Sequence, residues 1–438
     1  MKIAVPDRRS PFRAIDDYGM LLVLLLLAAF FSVCTFNEQH PSGADAGIQV
    51  ADFIANGHFT NVLIVVRDTV EDGEFADAVE MRLAERDIDV LSTVRGGPGD
   101  VRVAIDKILS EGGRIDAVAA NDVSAKWTIF DRYVDVGREK CVTPQPYRWP
   151  DFLKRSNLLG VANQTAIYAI IAVGMTMVIM TAGIDLSVGS LVALSSVTAA
   201  VLIRKAGGVE CGLPAMIAAC FAGIVVCSLS GLFTGLMVTR FGVPPFIVSL
   251  SVMMMASGIA FRISEGRSVP EVSQSFLWIG GSNIMGVPSP VWMMGIIYLV
   301  AHWVMSRTVF GRYVYAIGGN PEASRLSGVP VGPVLLAVYV LSGALAGAGG
   351  IILSSKLAAG DPKFGDMYEL DVIAAVVVGG TSLMGGEGRI FGTLIGAFII
   401  ATIKNGMNLT DVDPFNQKIA LGAVLLGAVL VDRLKRRP

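Results

Sequence analysis

Few side chains in this sequence could do chemistry, and three short stretches hold most of those whose spacing suggests a task. The first is "GIDLSVGS" (183–190), which interrupts an apolar run and carries one carboxylate, Asp185. An acidic residue at membrane depth is costly and by default lines a polar pathway. The alternative is a cap on the helix that starts near Ser187. Asn163 and Gln164 open the same run. Their amides either face a pathway or belong to the first turns of a helix at an interface. The second stretch is "GGNPEASRLSGVPVGP" (318–333). Asn320 is a good N-cap, Pro321 suits the first helical position, and Glu322 favours the positive helix start. Gly328 and then Pro330 stop the helix. A helix of about two turns does not persist alone in water. Glu322 and Arg325 can pair at i, i+3, with Ala323 and Leu326 on another side. The third is "DAVAANDVSA" (116–125), a strand ending in Asn121 and Asp122. Those two residues either contact a ligand at the strand's carboxyl end or cap the next helix.

Other chemistries find no support. No G-x-x-x-x-G-K-[ST] phosphate loop occurs, so nucleotide hydrolysis, if it drives this protein, must come from another chain. The three histidines, His40, His58 and His302, are scattered, and the five cysteines have neither metal nor disulfide spacing. We expect no catalytic site, no metal site and no cofactor in this chain. A net charge of −2 gives no reason to expect nucleic acid as a partner.

The elements that must position these residues are mostly membrane helices. Of 438 residues, 53% are hydrophobic and 16% charged, against about 25% charged in a soluble protein. About ten apolar runs approach spanning length, near 17–36, 164–183, 187–204, 213–239, 243–261, 287–306, 331–355, 371–385, 390–404 and 416–432. The first reads as an uncleaved span. Basic residues set the orientation. With Lys2, Arg8, Arg9 and Arg13 inside, ten spans also place Arg240, Arg307, Arg312, Arg325, Arg389, Arg433, Lys435, Arg436 and Arg437 inside. Both termini are then cytoplasmic and residues 37–160 lie outside the cytoplasmic membrane.

Residues 37–150 are a different material, dense in charge and short in apolar runs. "NVLIVV", "IDVLSTV" and "IDAVAAND" read as strands, and "GEFADAVEMRLAERD" and "GDVRVAIDKILSEGG" as helices between them. That alternation predicts a parallel three-layer α/β unit. The expected fold is thus an all-α polytopic membrane protein of about ten transmembrane helices with an inserted, small, parallel-sheet extracytoplasmic domain. The segments are 1–36 (N-terminus and first helix), 37–150 (insert) and 151–438 (remaining membrane part).

"NQTAIYAIIAVGMTMVIMTAGIDLSVGSLVAL", "GRYVYAIGGNPEASRLSGV", "YELDVIAAVVVGGTSLMGGEGRIFGTLIGA" and "VDRLKRR" closely resemble ribose-type permeases of ATP-binding-cassette importers, in order over about 157–435. The resemblance implies a subunit that moves a monosaccharide across the membrane while a separate ATPase subunit binds the ATP. It implies a second permease, in a homodimer or heterodimer, and a soluble binding protein outside. It also implies that the segment at 320–328 is a coupling helix docked on the ATPase, through Glu322, Ala323, Arg325, Leu326, Ser327 and Gly328. Asn163, Gln164 and Asp185 are the candidate pathway positions. The insert is not typical of that family. It resembles one lobe of periplasmic sugar-binding proteins, which makes Asn121 and Asp122 candidate sugar contacts if the lobe binds rather than docks or spaces. Rival readings are an ion-coupled secondary transporter and a membrane-anchored sugar sensor, with an autoinducer or nucleoside as alternative cargo.

Overall fold

Apolar runs become helices, and the glycine-rich interruptions become the breaks between them. The computed structural model describes residues 11–57, 59–133 and 136–435. Lys2, Arg8, Arg9, Arg436 and Arg437, which count towards the orientation, and His58 lie outside the described residues.

The chain divides into two units, one of Phe36–Pro150 and one of the flanking segments, which include Thr35 and Asp151. The helical unit begins with α1 (Pro11–Cys34). The smaller unit comes next: β1 (Phe36–Gln39), α2 (Gly43–Asn56), β2 (Asn61–Val66), α3 (Val70–Ala84), β3 (Asp89–Arg95), α4 (Pro98–Ser110), β4 (Ala117–Ala120), β5 (Cys141–Val142) and β6 (Tyr147–Pro150). Its sheet order is β3-β2-β4-β5, all parallel. Successive side chains of a strand point to opposite faces. Accordingly Val62, Ile64 and Val66 pack against α2 and α3, while Leu63 and Val65 pack towards Val101 and Ile105 of α4. Charge density and short apolar runs gave no sign of α2. β1 and β6 pair antiparallel, Phe36 opposite Pro150, and so close the unit at its own ends.

The helical unit continues with α5 (Arg155–Met180), α6 (Val188–Lys205), α7 (Leu213–Phe241), α8 (Pro245–Ile263), α9 (Gln274–Gly281), α10 (Ser289–Arg307), α11 (Val309–Gly319), α12 (Pro321–Leu326), α13 (Val331–Lys356), α14 (Tyr368–Val378), α15 (Ile390–Leu409) and α16 (Pro414–Lys435). Seven of them, α5, α6, α7, α8, α10, α13 and α15, are long and apolar enough to cross a membrane. The apolar stretches Gly19–Cys34 and Pro414–Leu430 are shorter.

Several run boundaries differ from the expected ones; the helix expected at 164–183 begins nine residues earlier, at Arg155. The run at 371–385 gives only the 11-residue α14, because the chain turns at Gly379 and Gly380. Eleven helical residues reach about 16 Å, half a hydrocarbon core. The run at 390–404 extends to Leu409. Small residues let the helices approach closely. A Cβ on Gly343 of α13 would run into the Cys227 carbonyl of α7.

Candidate functional site

The polar interruption at 320–328 is an ordered helix. The Asn320 side chain accepts the Ala323 N–H at 2.9 Å, and Arg325 pairs with Glu322 at 2.6 Å. The Glu322 carboxylate holds the Arg325 guanidinium above its ordinary pKa. Gly328 at φ +83° ends the helix, a conformation that suits glycine. One side chain of this helix, Ser324, is buried. Glu322, Ala323, Arg325, Ser327 and Gly328 are exposed, and Leu326 is 80% exposed. Helical spacing put Leu326 on an apolar side but did not single out Ser324, which carries the helix's inward contact.

The segment before α12 is wedged in place. Gly318, near the end of α11, leaves no room for a Cβ against the Met180 carbonyl and the Gly386 backbone. The Gly386 N–H donates to that same Met180 carbonyl at 2.9 Å, and the Tyr315 hydroxyl donates to Gly388 O at 2.8 Å. The end of α5, the glycine loop after α14 and the approach to α12 therefore share one tightly packed junction.

Asp185 is 2% exposed. One carboxylate oxygen accepts the Ser187 N–H (3.0 Å) and hydroxyl (2.6 Å), and the other accepts the Ser342 hydroxyl of α13 at 2.9 Å. Of the two roles open in the sequence, this geometry is that of a turn-former before α6 that also ties α13.

Asn163 is partly buried, with its Oδ1 enclosed and lacking a hydrogen-bond partner. Gln164 is exposed and sits at a cleft with Tyr168, Asp371 and Lys404. Asp371 and Lys404 stood at the edges of their apolar runs, where a charge reads as a span end. The helices continue past both and carry them inside. A second groove of about 770 Å³, between α7 and α9, is lined mainly by Leu213, Met216, Ile217, Leu277 and Trp278. Gln274, Ser275 and Ser282 are its polar liners.

In the smaller unit, Asn121 is 5% exposed and its Oδ1 accepts the Ser124 N–H and hydroxyl, each at 2.8 Å. It is a loop cap, and no ligand reaches that oxygen without displacing Ser124. Asp122 is accessible, yet Lys126 (2.7 Å) and His40 (3.3 Å) already flank it. The buried acid here is Asp72, which accepts from Arg67 Nε at 2.7 Å. Burial alone would raise its pKa, but the Arg67 guanidinium and the Asn121 side chain outweigh burial and hold it below 3.8. Burial pushes the Cys141 thiol up to about 12.

Comparison with known proteins supplies what geometry does not. Residues 157–431 match the family described as branched-chain amino acid transport system, permease component. The ribose import permease protein RbsC of Escherichia coli K12 is 44% identical over 292 residues, 66% of this chain and 88% of that protein. RbsC of Bacillus subtilis 168 is 43% identical over 288 residues, 65% of this chain and 87% of that protein. The L-arabinose transport system permease protein AraH of Escherichia coli K12 is 36% identical over 288 residues, 66% of this chain and 86% of that protein. No solved structure matches the chain. The family match begins seven residues after the smaller unit ends, which leaves that unit outside it.

Proposed function

The chain belongs to the membrane-permease family described as the branched-chain amino acid transport system permease component, and from that premise we propose that it is the membrane-spanning subunit of an ATP-binding-cassette importer for a monosaccharide such as ribose or arabinose. The relatives named for those sugars carry the choice of cargo class. In this reading two permease chains, identical or different, enclose the pathway. A separate cytoplasmic ATPase supplies the energy and a soluble binding protein delivers the sugar from outside. The chain crosses the cytoplasmic membrane about ten times, with α14 and the glycine loop after it making one crossing together. Both termini are cytoplasmic and residues 37–160 are extracytoplasmic.

The observation that carries the energy coupling is α12. A capped helix of six residues that leaves Leu326 80% exposed needs a partner to cover it. The ATPase covers α12 through Glu322, Ala323, Arg325, Leu326, Ser327 and Gly328. The smaller unit, with Asn121 closed on Ser124, serves as a docking platform or spacer for the binding protein. Sugar contact through Asp122 would require displacing Lys126 and His40.

Co-purification tests this. Membrane-extracted wild type should bring down its ATPase, and Glu322→Arg should lose it while melting at the same temperature. Wild type that captures no ATPase even with a nucleotide analogue present would sink the reading, and uptake driven by an ion gradient would replace it.

A further inference from the structure

Three polar side chains that bounded separate apolar runs in the sequence meet inside the helical unit. The Lys404 ammonium of α15 pairs with the Asp371 carboxylate of α14. It also stands 5.3 Å from the centre of the Tyr168 ring of α5, within cation–π range. The Tyr168 and Tyr368 rings lie 4.5 Å apart. Gln164, one turn before Tyr168, lines the same cleft.

These groups lie on membrane helices yet are not sealed. Lys404 lies five residues from the end of α15, Gln164 nine from the start of α5 and Asp371 three from the start of α14, about 7, 13 and 4 Å along their helices. Their neighbours Ala375, Ala397, Ile400 and Ala401 are apolar. The Lys404 and Asp371 side chains nevertheless keep 21% and 16% exposure, and Gln164 is exposed. A partly exposed ion pair and an exposed amide within membrane helices are unfavourable against lipid and tolerated against a water-filled passage. Lys404 could reach for the membrane surface with its flexible stem, but it turns to Asp371 and Tyr168 instead.

We propose that Gln164, Tyr168, Asp371 and Lys404 form a polar station on the wall of the translocation pathway, where the passing monosaccharide binds transiently. This deepens the importer reading and rests on it. The chemistry suits a neutral polyol. The carboxylate accepts hydrogen bonds, the ammonium donates them and the amide does both. The Tyr168 hydroxyl both donates and accepts. The pair's charges cancel, so a neutral cargo meets no net field, whereas a charged one would have to break the pair. The cleft measures only about 10 Å³, room for a single water at most. The station is therefore closed in this conformation, and the second permease chain supplies the facing wall.

The test uses the assembled importer in vesicles. Gln164→Cys is introduced after the five native cysteines are replaced, and labelled with a charged, membrane-impermeant thiosulfonate or with a lipophilic maleimide. We expect labelling by the charged reagent, slowed several-fold by ribose or arabinose. Labelling by the maleimide alone, or by neither reagent, would overturn the proposal. In parallel, Asp371→Asn with Lys404→Gln should raise the KM for uptake about tenfold with ATPase capture unchanged. The swap Asp371→Lys with Lys404→Asp should not restore it. Full restoration by the swap would assign the pair to helix packing and also overturn the proposal. Absence of sugar uptake by wild-type vesicles counts against the importer reading instead, because charged-reagent labelling reports a wet wall whatever the cargo.

Discussion

Asp185 shows how one residue can fit two roles until its partners are known. In the sequence it is the lone carboxylate of a glycine-rich break, equally suited to lining a pathway or starting a helix. In the structure all its hydrogen bonds go to Ser187 and Ser342. Asp185→Ala leaves the buried Ser342 hydroxyl without that acceptor, at a cost of about 1–3 kcal/mol. We expect a lower melting temperature in detergent, with Asp185→Asn intermediate. A variant that melts normally but does not transport would return Asp185 to the pathway. Asp72 is the corresponding residue of the smaller unit, and its effect depends on pH. Its folded-state pKa is depressed, so the stability it lends is fully present above the unfolded value. That stability is lost as pH falls through the folded value. The unit should weaken on acidification below about pH 4. Asp72→Asn should flatten that acid limb while lowering stability at neutral pH, as read by chemical denaturation.

At the scale of elements, the junction before α12 is tightly constrained. Gly318 and Gly319 are neighbours with opposite surroundings. A Cβ on Gly318 collides with the Met180 carbonyl, and one on Gly319 meets nothing within 4 Å. Gly318→Ala should cost about 1–3 kcal/mol through overpacking and reduce sugar-stimulated ATP hydrolysis in the assembled importer. Gly319→Ala should leave both stability and hydrolysis near wild type. Equal behaviour of the two would show that the junction tolerates a shift and does not couple α11 to α5. The same loop explains why the run at 371–385 gives a short helix. Gly380, Gly385 and Gly386 adopt positive φ, and their hydropathy conceals that they are not helical.

At the scale of the whole molecule, the smaller unit closes on itself. Its terminal strands pair with each other. In the helical unit the chain leaves and re-enters at one point, where the Asp151 N–H donates to Thr35 O at 2.8 Å and the Phe152 N–H to the Thr35 hydroxyl at 3.1 Å. Fragment 36–150 should therefore fold alone and unfold cooperatively in urea. Replacing it by a short glycine–serine linker should leave ATPase capture by the remaining chain intact. A fragment that stays unfolded, or a linker variant that no longer captures ATPase, would show that the units depend on each other.

The sequence by itself determined the membrane class, the alternation of strands and helices in the insert, and the capped helix at Pro321–Leu326. Each is written in local composition, periodicity or cap residues, which act over a few positions. Its long motif blocks also carried the resemblance to sugar permeases. Tertiary structure alone decided which polar residues meet. The oxygens of Asp185 find Ser342 157 residues away, and Lys404 finds Asp371 and Tyr168 on two other helices. Hydropathy ends a span at its first charge. A helix continues past that charge whenever a partner on another helix satisfies it, and the identity of that partner depends on packing between segments far apart in the chain.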